Sequence, residues 1–97
     1  MRKFKVTLRG RNLLLETDRV AKHGVLVIRF VEAIDEVVAG HAALENFQSE
    51  PKAEELSNRL LNPDSDPATF EISEVIEVDS FDKIENLHPG LIFYPET

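Results

Sequence analysis

Hydrophobic and polar residues alternate strictly over residues 3–9 of the chain. Phe4, Val6 and Leu8 share one side, while the intervening positions are Lys, Thr or Arg. This period of two predicts a half-buried β-strand whose apolar side lies on the core. A second strand is predicted over residues 25–31, where β-branched and aromatic side chains predominate. Because both sides of that strand are largely apolar, we expect cover on both of its faces.

The two apolar sides of the second strand are expected to have different neighbours. Leu26, Ile28 and Phe30 form the side that we expect the helices to cover. We expect either residues 91–94 or a second copy of the protein to cover the opposite side, which holds Val25, Val27 and Val31. A two-fold dimer with these valines at its centre and charges at its rim fits this pattern, so the valine side is the predicted self-association surface.

Two helices are predicted after the second strand. Asp35 is a suitable N-cap for the first helix, and Gly40 is expected to let that helix approach the sheet closely. Apolar or small residues recur at helical spacing along its expected packing stripe, at Val37, Gly40, Leu44 and Phe47. Pro51 opens the second helix, because proline is tolerated in a first turn and disrupts later ones. Alternation resumes over residues 69–79, where Phe70, Ile72, Ile76 and Val78 are expected to point inward. Glu74 has the same inward parity, which indicates either a β-bulge that redirects it or an inward charge that protects a sheet edge. Residues 91–94 form a last short segment.

These elements follow the order β-β-α-α-β-β, which is typical of an α+β fold. The helices between the second and third strands form a crossover, so those strands are expected to be parallel. The shorter loop between the first two strands favours an antiparallel pair. Both conditions hold in a three- to four-stranded, mostly antiparallel sheet with strand order 2-1-3 and two helices packed on one face. We expect residues 1–97 to form a single domain.

Charge is divided unevenly along the chain. Residues 1–29 hold eight basic and two acidic side chains, a net charge of +6, whereas the rest of the chain carries −13 and the whole chain −7. In the predicted sheet, the outward row of strand one (Lys3, Lys5 and Arg9) lies beside an outward acidic row of strand three. That acidic row consists of Glu71, Glu77 and Asp79. The sequence leaves open whether these rows neutralise each other or whether the basic row is free to bind an anion.

The candidate anion-binding residues are basic side chains of the first two strands, namely Lys3, Lys5, Arg9, Arg11 and Arg29. Phosphate recognition needs such a cluster, and nucleic-acid modules usually add exposed aromatic side chains for base stacking. The chain has no Trp and one Tyr, and Phe4 of strand one has inward parity. A phosphate or nucleic-acid binder is therefore the alternative to a protein-interaction module.

No grouping in the sequence is typical of an enzyme or a metal site. Cysteine is absent, which excludes disulfides and thiolate chemistry, and no nucleophile motif, glycine-rich phosphate loop or HExxH spacing occurs. His41 is expected to be partly buried at the edge of the first helical stripe, where an enzyme would have to combine it with a carboxylate such as Glu45. Residues 64–66 are interpreted as a turn. We assign no catalytic residue, metal or cofactor.

The composition favours a soluble, acidic, cytoplasmic protein. No apolar run approaches the roughly 20 residues that span a bilayer. Polar residues alternate behind the basic N-terminus, where a signal peptide would have an apolar segment. We therefore expect a small non-enzymatic interaction module, whose partner is another protein or a second copy of the same chain and not a membrane.

Overall fold

The computed structural model describes residues 1–96. This part of the chain forms four strands and two helices, which are β1 (Arg2–Glu16), β2 (Val20–Ala33), α1 (Glu36–Gln48), α2 (Pro51–Arg59), β3 (Thr69–Val78) and β4 (Ile92–Pro95). The order β-β-α-α-β-β is the predicted one. Neither helix found in residues 1–96 has the length and apolar character needed to cross a bilayer.

The four strands form one sheet in the order β3-β1-β2-β4, and every neighbouring pair is antiparallel. β1 lies between β2 and β3, so β2 and β3 run parallel to each other, as expected for strands joined through helices. The α+β class and the predicted strand order 2-1-3 are confirmed, and β4 adds a fourth strand beside β2. α1 packs across β1, β2 and β3 on one face of the sheet. We call the opposite face of the sheet the open face.

The helices cover the valine side of β2, so the predicted assignment of its two faces is wrong. Val25 and Val27 have no exposed surface, and Val31 packs against the same core. Directly paired residues of an antiparallel sheet point to the same face. The β1 residues opposite the three valines are Gly10, Leu8 and Phe4, all of which are buried. The surface predicted for self-association therefore belongs to the interior, because β1 has only one apolar side and that side determines which face of β2 is covered.

A β-bulge in β3 changes which of its residues face the helices. The pairing with β1 shifts between Ile72 and Glu74, which leaves Ser73 as the extra residue. Beyond the bulge, Val75 takes the helix side and packs against the core. Ile76, which was predicted to point inward, is 44% exposed on the open face. The inward orientation predicted for Ile76 and Val78 is therefore wrong, and the bulge is the one of the two explanations for Glu74 that the structure shows.

α1 begins at the predicted cap, where a carboxylate oxygen of Asp35 accepts a hydrogen bond from the Val38 backbone N–H at 2.9 Å. The close approach predicted at Gly40 is confirmed, because a Cβ there would lie 3.1 Å from Cδ1 of Ile72. The packing stripe is rotated from the predicted one. Val37 is exposed, and the buried residues of the helix are Ala39, Gly40, Ala43 and Phe47. Small alanine side chains therefore set the contact with the sheet.

The segment between α2 and β3 is held against the end of β1 by side-chain amides. Oδ1 of Asn62 accepts from the Leu14 backbone N–H at 2.9 Å, and its Nδ2 donates to the carbonyl oxygen of Asn12 at 2.8 Å. Asn12 and Lys22 in turn donate to the carboxylate of Asp66 at 2.8 and 2.9 Å. Both hydrogen bonds lower the pKa of Asp66, and the one from Lys22 has the larger effect. The turn predicted here is confirmed.

Candidate interaction surface

The open face carries a basic row between two mixed rows. β1 contributes the alternate residues Lys3, Lys5, Thr7 and Arg9. Their neighbours on β2, in the same order, are Glu32, Phe30, Ile28 and Leu26. Their neighbours on β3 are Val78, Ile76, Glu74 and Glu71. The apolar side chains that were expected beneath the helices therefore lie on the sheet surface away from them.

Ion pairs between β1 and β3 engage part of the basic N-terminal set, although the pairs differ from those predicted. Nε of Arg11 lies 2.6 Å from Oε1 of Glu71, and Arg2 donates two hydrogen bonds of 3.0 Å to Glu77. The hydrogen bond from Arg2 lowers the pKa of Glu77 and raises that of Arg2. Glu77 pairs with a helix-side position of β1 because of the bulge, and Asp79 lies beyond β3.

Lys5 and Arg9 are open-face cations that have no carboxylate within salt-bridge distance among residues 1–96. Lys3 is different, since its Nζ lies 3.6 Å from a carboxylate oxygen of Glu32. Nε of Arg9 donates to the neutral hydroxyl of Tyr94 at 2.9 Å, and the guanidinium carbon lies 5.8 Å from the Tyr94 ring centroid. The centre of the open face thus carries the positive charges of Lys5 and Arg9, with the Tyr94 ring beside Arg9 and Phe30 paired with Lys5.

Arg29 lies on the other face of the sheet, beneath the helices. It is 1% exposed and donates two hydrogen bonds, of 3.0 and 2.9 Å, to the carboxylate of Glu50. A further N–H donates to the carbonyl oxygen of Pro89 at 2.8 Å, and the guanidinium carbon lies 5.4 Å from the Phe47 ring centroid. Arg29 is therefore an internal ion-pair residue and does not join the other four predicted anion-binding residues.

The segment that leads from β3 to β4 covers one end of the open face. Phe81 packs edge-on against Phe30, with ring centroids 5.9 Å apart and an interplanar angle of 73°. The Phe30 backbone N–H donates to the carbonyl oxygen of Leu87 at 3.2 Å, so this segment also follows the edge of β2. Leu26 and Ile28 remain half-buried. The uncovered part of the open face therefore centres on the middle of β1 and β2.

The residues considered for catalysis or metal binding do not form a cluster. His41 is exposed on α1, which corrects the predicted partial burial and follows from the rotation of the helix onto its alanine side. Glu45, one turn further along the helix, is also exposed. Within residues 1–96, no group of three His, Cys, Asp or Glu side chains is arranged to hold a metal ion.

Comparison of the chain with protein-family models, curated proteins and solved structures finds no match. The functional proposal therefore rests on the residues of the open face and on their physical chemistry.

Proposed function

We propose that the protein is a non-enzymatic interaction module that associates with a second copy of itself through the open face. The observation that carries this proposal is that a cation and a carboxylate without ion-pair partners lie on neighbouring strands of that face. Lys5 and Glu74 both lack an ion-pair partner among residues 1–96. Glu74 is paired with Thr7, which is the next residue of β1 on the same face as Lys5. We include a cytoplasmic location in the proposal, which the acidic, cysteine-free composition supports.

The apolar residues of the open face supply a reason for association. Ile76 and Ile92 are 44% and 51% exposed. Ile92 is paired with the half-buried Leu26 of β2, whereas Ile76 lies on β3 beside Lys5 of β1. Burying apolar surface contributes about 25 cal/mol per Å² to association before the entropic cost of binding is subtracted. A face with apolar residues among charges of both signs also suits a two-fold interface, because the same patch must complement itself.

Two exposed isoleucines on this face allow a direct test by sedimentation equilibrium over the micromolar range. We expect the natural chain to dimerise, and Ile76→Asp and Ile92→Asp each to shift it to the monomer by placing a carboxylate in the apolar contact. The matched control is Val37→Asp, because Val37 is 68% exposed but lies on the helix side. A natural chain that stays monomeric across this range, or equal loss of dimer in the control, contradicts the proposal.

Binding of a phosphate-bearing ligand at Lys5 and Arg9 is a second candidate function. It is favoured by the basic row and by Tyr94, whose ring beside Arg9 supplies one of the aromatic surfaces that nucleic-acid sites use. Retention on immobilised nucleic acid that falls with salt and is lost in Lys5→Glu and Arg9→Glu would support it. Glu74→Lys separates the two functions, since it should strengthen anion binding and weaken self-association.

A further inference from the structure

The outer edge of β3 is a free sheet edge. β3 is the terminal strand of the sheet, and the only strand paired with it in residues 1–96 is β1. An edge strand presents a row of backbone N–H and C=O groups that another extended chain can pair with. The backbone between Thr69 and Val78 is therefore available for hydrogen bonds to a further strand.

A groove accompanies this edge on the helix side of the sheet. It lies between α1 and β3, has a volume of about 360 Å³, and is lined by Glu36, Val37, Gly40, His41, Ile72 and Val75. We call it the α1–β3 groove. Its apolar wall includes Val37, which is 68% exposed. A strand added beside β3 would direct every second side chain towards this groove, since strand side chains alternate between faces.

The other side of the same edge is acidic. Glu71 and Glu74 pair with open-face positions of β1, so their side chains lie on the side away from the groove. A strand added beside residues 71–75 would therefore have the apolar Ile72 and Val75 on one side and these two carboxylates on the other. Such an environment favours a chain in which apolar and basic residues alternate.

β1 shows that β3 accepts this pattern, because it pairs with the inner edge of β3 in the same way. The apolar residues Phe4, Val6 and Leu8 of β1 point towards the helices, and most of its basic residues, namely Lys3, Lys5, Arg9 and Arg11, lie on the open-face side. Among them, Arg11 forms an ion pair with Glu71. The outer edge offers the same two environments, with the α1–β3 groove replacing the core.

We propose that the free edge of β3 binds an extended segment of another protein in which apolar residues alternate with Lys or Arg. The segment adds a fifth strand to the sheet, with its apolar side chains in the α1–β3 groove and its basic side chains beside Glu71 and Glu74. A second copy of β3 is disfavoured at this edge. In an antiparallel pair of β3 strands centred on Glu74, the two Glu74 carboxylates would lie opposite each other, so like charges would repel. This proposal shares Glu74 with self-association but differs from it in using the backbone edge of β3 and the α1–β3 groove, which lies on the other face of the sheet.

The probe for this proposal is a blocked synthetic peptide with the sequence of residues 3–9, titrated into the isotopically labelled full chain and followed by NMR. We expect saturable shifts of amide signals in residues 69–78 and in the first two turns of α1. Val37→Ser should weaken binding by about fivefold to tenfold, because it removes an apolar wall of the groove. Val20→Ser is the matched control, since Val20 is also exposed and lies in the β1–β2 hairpin. The peptide should bind this variant as tightly as it binds the natural chain.

A second peptide isolates the role of charge. It keeps the apolar residues of the first peptide and replaces each Lys and Arg with Glu, and we expect it to give no saturable shift at the same concentrations. The proposal is overturned if neither peptide binds at low salt, if both bind equally, or if the shifts map to β2 and β4. Equal weakening by Val37→Ser and Val20→Ser also overturns it.

Discussion

At the scale of single residues, the Arg29–Glu50 pair is the buried charge contact of the described chain. The side chains are 2% and 20% exposed, and two hydrogen bonds join them. Arg29 comes from the middle of β2, whereas Glu50 lies in the junction between α1 and α2. The pair thus connects the sheet to the helical layer. A buried pair of this kind adds little net stability, but leaving one member without the other is costly.

We predict that Glu50→Ala lowers the free energy of unfolding by about 3 kcal/mol, because Arg29 would keep its buried charge with only two backbone carbonyls as acceptors. Arg29→Met should cost less, since the partly exposed Glu50 can be hydrated. The double variant should be more stable than Glu50→Ala alone. The free energies of unfolding of all three variants can be measured in urea. The control is Glu54→Ala, which removes an exposed carboxylate of α2 and should have a free energy of unfolding within about 0.5 kcal/mol of that of the natural chain. A double variant less stable than Glu50→Ala contradicts the prediction.

At the scale of elements, the segment between α2 and β3 should make the free energy of unfolding depend on pH. Its carboxylate Asp66 is held by Lys22 and Asn12, and its pKa is lowered in the folded chain. A carboxyl group with a lower pKa in the folded state stabilises the fold above its unfolded pKa, and this contribution disappears as the pH falls through the folded value. The Asp66 contribution should therefore be complete at neutral pH and absent in strong acid.

We predict that the urea midpoint of Asp66→Asn lies below that of the natural chain near pH 7 and that the difference closes as the pH falls to about 2. Asp64→Asn is the control, because Asp64 lies in the same turn and makes no hydrogen bond or ion pair within residues 1–96. A difference that stays constant with pH would show that the amide substitution acts through packing and not through the charge of Asp66.

Also at this scale, the order of the elements could be predicted and the direction of some faces could not. β1 alternates cleanly, so its apolar side had to be the core side. β2 is apolar on both sides, and the side that packs against the helices is decided only by its register with β1. In β3, the bulge at Ser73 reverses the alternation, and nothing in the identity of Ser73 marks it as the extra residue. A glycine inside a strand indicates a close contact, and Gly24 marks such a contact in β2, because its missing Cβ leaves room for the Tyr94 ring.

At the scale of the whole molecule, the charge division of the chain is largely absorbed by the fold. Arg2 and Arg11 pair with β3, Lys22 with Asp66, and Arg29 with Glu50. Two of the candidate anion-binding residues, Arg11 and Arg29, are therefore paired within the fold, whereas Lys5 and Arg9 of the basic row have no carboxylate partner among residues 1–96. The bulge contributes to this outcome because it turns Glu77 of β3 to the helix side, where Glu77 pairs with Arg2, and Arg29 is paired because it faces the helices. Among the basic residues of positions 1–29, those without an ion pair in residues 1–96 are Lys5 and Arg9, at the centre of the open face, and Arg19, in the turn between β1 and β2.

The last prediction concerns how two copies of the molecule meet. If Lys5 of one copy contacts Glu74 of the other, Lys5→Glu and Glu74→Lys should each weaken the dimer, because each places like charges together. The double variant Lys5→Glu/Glu74→Lys restores opposite charges and should recover most of the affinity, as measured by sedimentation equilibrium at low and high salt. An anion-binding role makes a different prediction, because retention on immobilised nucleic acid should rise in Glu74→Lys and fall in Lys5→Glu. The ion pair is not part of the interface if the single variants leave the dimer affinity unchanged. The same conclusion follows if the double variant dimerises more weakly than both single variants.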